Sequence, residues 1–240
     1  MDIKRNGRFT SSEIYKLMAN GKAKDTIGTP FYSYCEEVYF EIRLGRRLDN
    51  ETSAKPTSWG NLVERQAFDC LGYEYELVSK DTIIYNSPEF SEWWAGKPDL
   101  KKNEETVCDV KCPMTLKSFC TFYECDNIDD VRIKHKDGEK YYWQLVSNSI
   151  LTGCKNAELI IYAPYKNEIA DIKELASNYD GDQNKVAWIN WSNDDDLPYL
   201  ENGGYYKNIK TITFDVPEYD KIALENRVRL AIKEVQNKLK

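Results

Sequence analysis

The sequence predicts an α/β protein, a central mixed β-sheet flanked by helices, and three observations carry that prediction. Helix, hairpin, helix and strand follow one another along the middle of the chain, the order expected of a sheet covered by helices. The stretch from 96 to 113, "GKPDLKKNEETVCDVKCP", reads as two short strands joined by a charged turn, and "AELIIYAP" as a further strand. Between them "YYWQLVSNSILTG" repeats Trp143, Val146 and Ile150 at helical spacing.

Each remaining element has its own local cause. In "TSSEIYKLMANG", Thr10 stands three residues before Glu13 and Gly21 closes the stretch, a capping box, a short helix and a glycine stop. Phe31, Cys35, Val38 and Ile42 recur at helical spacing before Gly45, which predicts a helix from about Phe31 to Leu44. "LDNETSAKPT" is a loop by composition. "SWGNLVERQAFDCLG" reads as a helix stopped by Gly72, and "YEYELVSKDTIIYN" as strand-like. Ser118 to Asp130 and the charged loop "KHKDGEK" lead to the central helix. The last third offers "KVAWINW", the turn-rich "SNDDDLPYLENGG", the strand "KTITFDV" and a terminal helix from about Glu218. At 240 residues the chain is near the upper size of one hydrophobic core. One domain over 1–240 is expected, with an N-terminal helical part (about 1–50), a core (about 56–165) and C-terminal strands and helix (about 166–240).

Composition removes several function classes. Apolar content of 41% without an uninterrupted apolar run of bilayer length argues against a membrane partner, and "MDIKRNGRFTSSE" lacks a secretory signal, so a cytoplasmic location is expected. Seven irregularly spaced cysteines suit reduced thiols; Cys108, Cys112, Cys120 and Cys125 fall close together but contain no CxxC. A net charge of −7 disfavours a surface that coats nucleic acid everywhere but leaves room for a local basic groove. The single histidine, His135 in a polar loop, makes a Ser/His/Asp triad or a histidine-rich zinc site improbable.

Four side chains do not behave like scaffold. Alternation puts Cys108, Val110 and Cys112 on a core side of the hairpin and Val107, Asp109 and Lys111 on the other, across from Asp99 behind Pro98. Glu64 stands three, four and seven residues before Ala67, Phe68 and Leu71, which places a carboxylate in the apolar stripe of its helix. Singly, each acid suits a solvated face or an edge hairpin. Clustered, three carboxylates repel unless a hard divalent cation joins them, and oxygen ligands without histidine suit Mg²⁺ or Mn²⁺. A lysine beside such a centre can orient water and stabilise charge on a phosphate, which describes metal-assisted phosphodiester hydrolysis.

Pro98, Asp99, nine intervening residues, then Asp109, Val110 and Lys111 resemble the PD-(D/E)xK nuclease signature. With "SWGNLVERQAF", "GKPD", "DVKCPMTLKSF" and "YYWQLVSNSILTGCKNAELIIYAP", the chain from about residue 5 to 165 resembles the bacteriophage lambda exonuclease and YqaJ-type viral recombinase family. The resemblance implies a restriction-endonuclease-like core. It also implies that Asp99 and Asp109, with the Val110 carbonyl, bind a first metal, that Glu64 serves a second, that Lys111 is the catalytic lysine, and that Gln144 holds the water or the lysine. Arg5, Thr10 and Ser12 would contact DNA phosphate, and Lys117 the 5′-phosphate; Lys97 stands where the family has a small polar residue, and Asp109 where it often has Glu.

The activity so implied is a Mg²⁺-dependent (or Mn²⁺-dependent), two-metal 5′→3′ exodeoxyribonuclease acting on 5′-phosphorylated ends of double-stranded DNA. Its products would be 3′ overhangs for phage-type recombination, beside a single-strand annealing protein. A homotrimeric ring around DNA would be lined by Arg43, Arg46 and Arg47. The alternatives are a sequence- or structure-specific endonuclease with the same centre, and a non-catalytic DNA-end or protein-binding module.

Overall fold

A computed structural model describes residues 6–23, 26–48, 55–78, 85–87 and 89–240. Its first elements are β1 (Phe9–Thr10), a 3-10 turn (Ile14–Met18), α1 (Thr29–Leu44) and α2 (Lys55–Asp69). The strands β2 (Tyr75–Leu77), β3 (Tyr85–Asn86), β4 (Trp94–Gly96), β5 (Leu100–Lys102) and β6 (Thr106–Lys111) follow. Then come α3 (Leu116–Tyr123), α4 (Ile128–Lys134), α5 (Gly138–Thr152) and β7 (Asn156–Tyr162). The chain closes with α6 (Ile169–Ser177), α7 (Ala187–Trp191), β8 (Ile209–Asp215) and α8 (Glu218–Leu239).

Five strands form the central sheet in the order β2-β5-β6-β7-β8, and β1-β4-β3 form a small second sheet. Only the β6–β7 pairing in the central sheet is parallel, with Asp109 opposite Leu159 and Lys111 opposite Ile161. That geometry needs a crossover, and α5 supplies its last part. Both α1 and α5 end where a glycine, Gly45 or Gly153, takes a left-handed conformation that a side chain would resist.

The predicted hairpin is present, but β6 is the middle strand of the sheet and not an edge. Val107, Cys108, Asp109 and Val110 are all buried, because helices cover both faces. Val107, Ala157, Leu159 and Ile161 pack into one core with α1, α5 and α8. Cys108, Val110, Ile160 and Tyr162 pack into a second with α2, α6 and α7. Asp109 thus points into a helix-covered face, where a solvated carboxylate has no place.

Other expectations shift. Thr10 caps no helix: it lies in β1, paired in parallel with Ala95 of β4, and the turn after it is a five-residue 3-10 segment without a side-chain cap. Ile42 lies on the exposed side of α1. "KVAWINW" is helical in its second part, as α7, and α6 was not anticipated. All seven cysteines are free thiols. No described helix is long and apolar enough to cross a membrane.

Candidate active site

Glu64, Asp99, Asp109, Val110, Lys111, Gln144, Thr10 and Ser12, separated widely in sequence, line one cleft of about 600 Å³. The sheet explains most of this. Asp99 immediately precedes β5, Asp109 and Lys111 sit on β6, and β5–β6 pairing sets the strands side by side. α5 lies over that face and brings Gln144; α2, on the other face, brings Glu64 to the rim beside its buried stripe of Trp59, Leu62, Val63 and Ala67 rather than within it.

Asp109 is the fixed point. It is 0% exposed. Gln144 Nε2 donates to its Oδ1 at 2.6 Å, and Lys111 Nζ approaches its Oδ2 at 2.5 Å. Lys111 is thus the charge partner of Oδ2, which has no other donor among the described residues. Gln144 therefore orients the carboxylate that is the charge partner of Lys111. Asp99 Oδ2 accepts the Val110 N–H at 2.8 Å, which ties the start of β5 to the acid on β6.

The charges act on one another. Burial, and then the negative charges of Asp109 and Glu64, hold the Asp99 carboxyl well above the usual carboxylate range, against the pull of Lys111 and the Val110 N–H. Burial disfavours the Lys111 ammonium, but Asp109 and Asp99 outweigh it and keep the lysine above its ordinary value. Burial, with Glu64 and Asp99 nearby, pushes the Cys112 thiol far up, so this cysteine in the cleft wall is no thiolate nucleophile.

Among the described residues no three His, Cys, Asp or Glu side chains are already gathered closely enough to enclose a metal ion. The set nevertheless fits a hard cation by its chemistry. Its acids offer carboxylate oxygens, one of them a buried atom whose one partner among the described residues is Lys111, and Asp99 is held up by burial and then by like charges that a divalent ion would offset.

The remaining predicted residues divide. Thr10 N–H donates to Tyr34 Oη at 2.8 Å, anchoring this part of the cleft wall to α1. Thr10 and Ser12 also border an adjoining cleft of about 290 Å³ with Arg8 and Arg47. Lys97 lines the main cleft, whereas Lys117 is exposed outside its lining, and Arg5 lies outside the described residues. Arg43, Arg46 and Arg47 are exposed; Arg43 Nη2 donates to the Leu239 carbonyl, and Arg47 lies 3.9 Å from Glu41.

Sequence reasoning missed Tyr141 and His135. Tyr141 stands three residues before Gln144 on α5, a helical spacing that could have marked it, and Lys111 Nζ lies 5.1 Å from its ring centroid. His135 gave no such signal, since its neighbours are charged. It does lie in the loop between α4 and α5, yet it is 7% exposed and stacked on Phe122 with centroids 3.9 Å apart. Burial holds its imidazole below the ordinary value. An unfolded chain therefore binds this proton more readily; the contribution to stability is complete above about pH 6.5 and is lost as pH falls. Thermal melts at pH 7.5 and 5.5 are expected to show a larger acid-side loss for the wild type than for His135→Phe; equal losses would remove the histidine as the cause.

Sheet order and helical layers together define a mixed α/β fold with a central, mostly antiparallel sheet flanked by helices. The solved structures that share it include a phage-related exonuclease from Haemophilus somnus 129PT, at 19% identity and a TM-score of 0.61, covering 97% of this chain and 95% of that one. An alkaline exonuclease from Laribacter hongkongensis matches at 14% identity and a TM-score of 0.62, covering 98% and 90%. Its complex with dAMP matches at 17% identity and a TM-score of 0.59, over the same shares. At these identities the likeness is one of fold, and it extends through the C-terminal third, beyond the segment where the sequence resemblance runs. No protein-family model and no curated protein matches the chain.

Proposed function

We propose that the protein is a metal-dependent exodeoxyribonuclease of the lambda exonuclease and YqaJ type. It degrades one strand of double-stranded DNA from a 5′-phosphorylated end and leaves a 3′ overhang. The observation that carries this reading is the meeting of Glu64, Asp99, Asp109 and Lys111 in one cleft on a fold shared with exonucleases, one of them solved with a nucleotide.

Asp99 and Asp109, with the Val110 carbonyl, would hold one divalent ion and Glu64 would serve a second; Mg²⁺ or Mn²⁺ supplies charge neutralisation at the phosphoryl group and lowers the pKa of water. Gln144 keeps Asp109 in one rotamer through its Oδ1. Lys111, between Asp109 and the Tyr141 ring, presents positive charge where the scissile phosphate gains negative charge. Thr10 and Ser12 offer hydroxyls to the DNA backbone in the same cleft, and Arg5 and Lys117 its charge partners. A trimeric ring lined by Arg43, Arg46 and Arg47, work beside a single-strand annealing protein and a place in the cytoplasm of a phage-bearing cell complete the reading.

Linear 5′-phosphorylated duplex incubated with Mg²⁺ is expected to shorten from its 5′ ends, while covalently closed circular duplex survives. Cutting of the closed circle would replace the exonuclease by an endonuclease with the same centre. Binding can be read without turnover: Mg²⁺ at a hundredfold excess over its Kd should stabilise the fold by about 2.7 kcal/mol. Asp99→Asn should abolish most of that gain in a thermal melt. Equal gains for both proteins would remove Asp99 from the metal site.

A further inference from the structure

The wall of the cleft beyond Lys111 contains a polar pair that the reaction described above does not use. Ser118 stands in the first turn of α3, where its N–H donates to the side chain of the capping Thr115 at 3.2 Å. Its Oγ lies 2.8 Å from His135 Nε2. The other ring nitrogen settles the tautomer. His135 Nδ1 accepts the Asp137 backbone N–H at 3.1 Å, so the ring hydrogen is on Nε2 and Ser118 Oγ accepts it. Among the described residues the serine hydroxyl has no second partner, so its own hydrogen is free to be donated.

Its surroundings indicate what would take that hydrogen. Ser118 and His135 both line the main cleft, as do Lys97, Lys136 and Lys140. The rings of His135 and Tyr141 lie 5.8 Å apart, and Tyr141 carries Lys111 over its face, so the pair stands next to the catalytic lysine through a single ring. A hydroxyl that accepts from the histidine and has its own hydrogen to give, on the first turn of a helix and in the same cleft lining as three lysines, suits an anionic oxygen. We propose that Ser118 donates a hydrogen bond to a phosphate oxygen of the DNA strand lying in the cleft, with His135 as the positioning residue that holds its hydroxyl. This inference rests on the nuclease reading.

Steady-state kinetics on 5′-phosphorylated and 5′-hydroxyl linear duplexes, with thermal melts of every variant, test it. Losing one hydrogen bond to a charged group should raise KM about tenfold in Ser118→Ala, with a much smaller effect on kcat. Ser118→Thr, which keeps the hydroxyl, should restore KM. His135→Phe keeps the stack on Phe122 but lacks the donor, and should raise KM as Ser118→Ala does. The double variant should be no worse than Ser118→Ala alone, because the histidine acts through the serine. A penalty on both substrates identifies an internal phosphodiester as the partner; one confined to the 5′-phosphorylated duplex identifies the terminal phosphate.

A Ser118→Ala KM within about twofold of wild type overturns the inference while leaving the nuclease reading intact. So does a His135→Phe effect that multiplies fully with it, which would mark the histidine as scaffold only. A wild-type protein that cleaves no DNA removes both.

Discussion

Lys111→Ala is expected to lower the single-turnover rate of DNA cleavage by about a thousandfold, within the range seen when one transition-state donor or proton-handling group is lost. Its ammonium is the positive charge that the fold places deliberately. β6 carries it two residues beyond Asp109, within 2.5 Å of that carboxylate, and α5 sets the Tyr141 ring behind it at 5.1 Å. Alanine also leaves Asp109 Oδ2 buried beside Asp99 with no cation at hand. Breaking a buried ion pair costs about 3–5 kcal/mol when both partners are enclosed. The Lys111 side chain is 22% exposed, so the lower end of that range applies. The two losses separate by condition. A melt in saturating Mg²⁺ should recover much of the stability, because the ion replaces the missing charge, whereas cleavage should not recover. Equal single-turnover rates for wild type and variant would sink the role assigned to this lysine.

How much of this was legible in the sequence follows from how far each signal reaches. That Asp99, Asp109 and Lys111 lie close together was legible because a hairpin with period-two alternation fixes their relation within a dozen residues. Gln144 was legible as a position, since the glycine that ends α5 and its apolar spacing set the helix, but not as a contact: that it grips Asp109 depends on α5 lying over β6. The Thr10–Glu13 cap failed for a related reason. The local signal was sound, yet pairing with β4, some 85 residues away by the Thr10–Ala95 register, took Thr10 into a strand instead. The burial of His135 was not legible because two rings from other segments, Phe122 of α3 and Tyr141 of α5, pack on it. α6 was visible in principle, with Ile169, Ile172 and Ala176 at helical spacing, but nine residues make a short window among charges.

The most informative residue that sequence reading passed over is Glu158, a carboxylate inside the apolar run "AELIIYAP". It is 0% exposed at the centre of β7 and fully engaged: Tyr75 Oη donates to it at 2.7 Å, Lys102 Nζ at 3.1 Å and Thr213 Oγ1 at 2.5 Å. Those partners come from β2, β5 and β8, so one side chain straps together the strands around β6. Glu158→Ala strips Tyr75 and Thr213 of this acceptor and leaves Lys102 only the Tyr75 hydroxyl, 2.9 Å away; the fold is expected to lose about 3–5 kcal/mol in urea unfolding, less to the extent that Lys102, 28% exposed, regains water. For a chain of this size that is a fall of roughly 10 °C in melting temperature. Glu158→Gln, which keeps shape and most hydrogen bonds, should lose far less. Replacing the whole group, as Glu158→Leu with Lys102→Met and Tyr75→Phe, should restore much of the stability, since what costs so much is an abandoned buried partner rather than the absence of charge. In register Glu158 stands opposite Cys108, one residue before Asp109. The alanine variant should therefore also cleave more slowly at temperatures where it remains folded, with KM little changed, because slack in β7 is passed to the strand that holds the acid. Full activity together with full stability in Glu158→Ala would show that this network braces nothing.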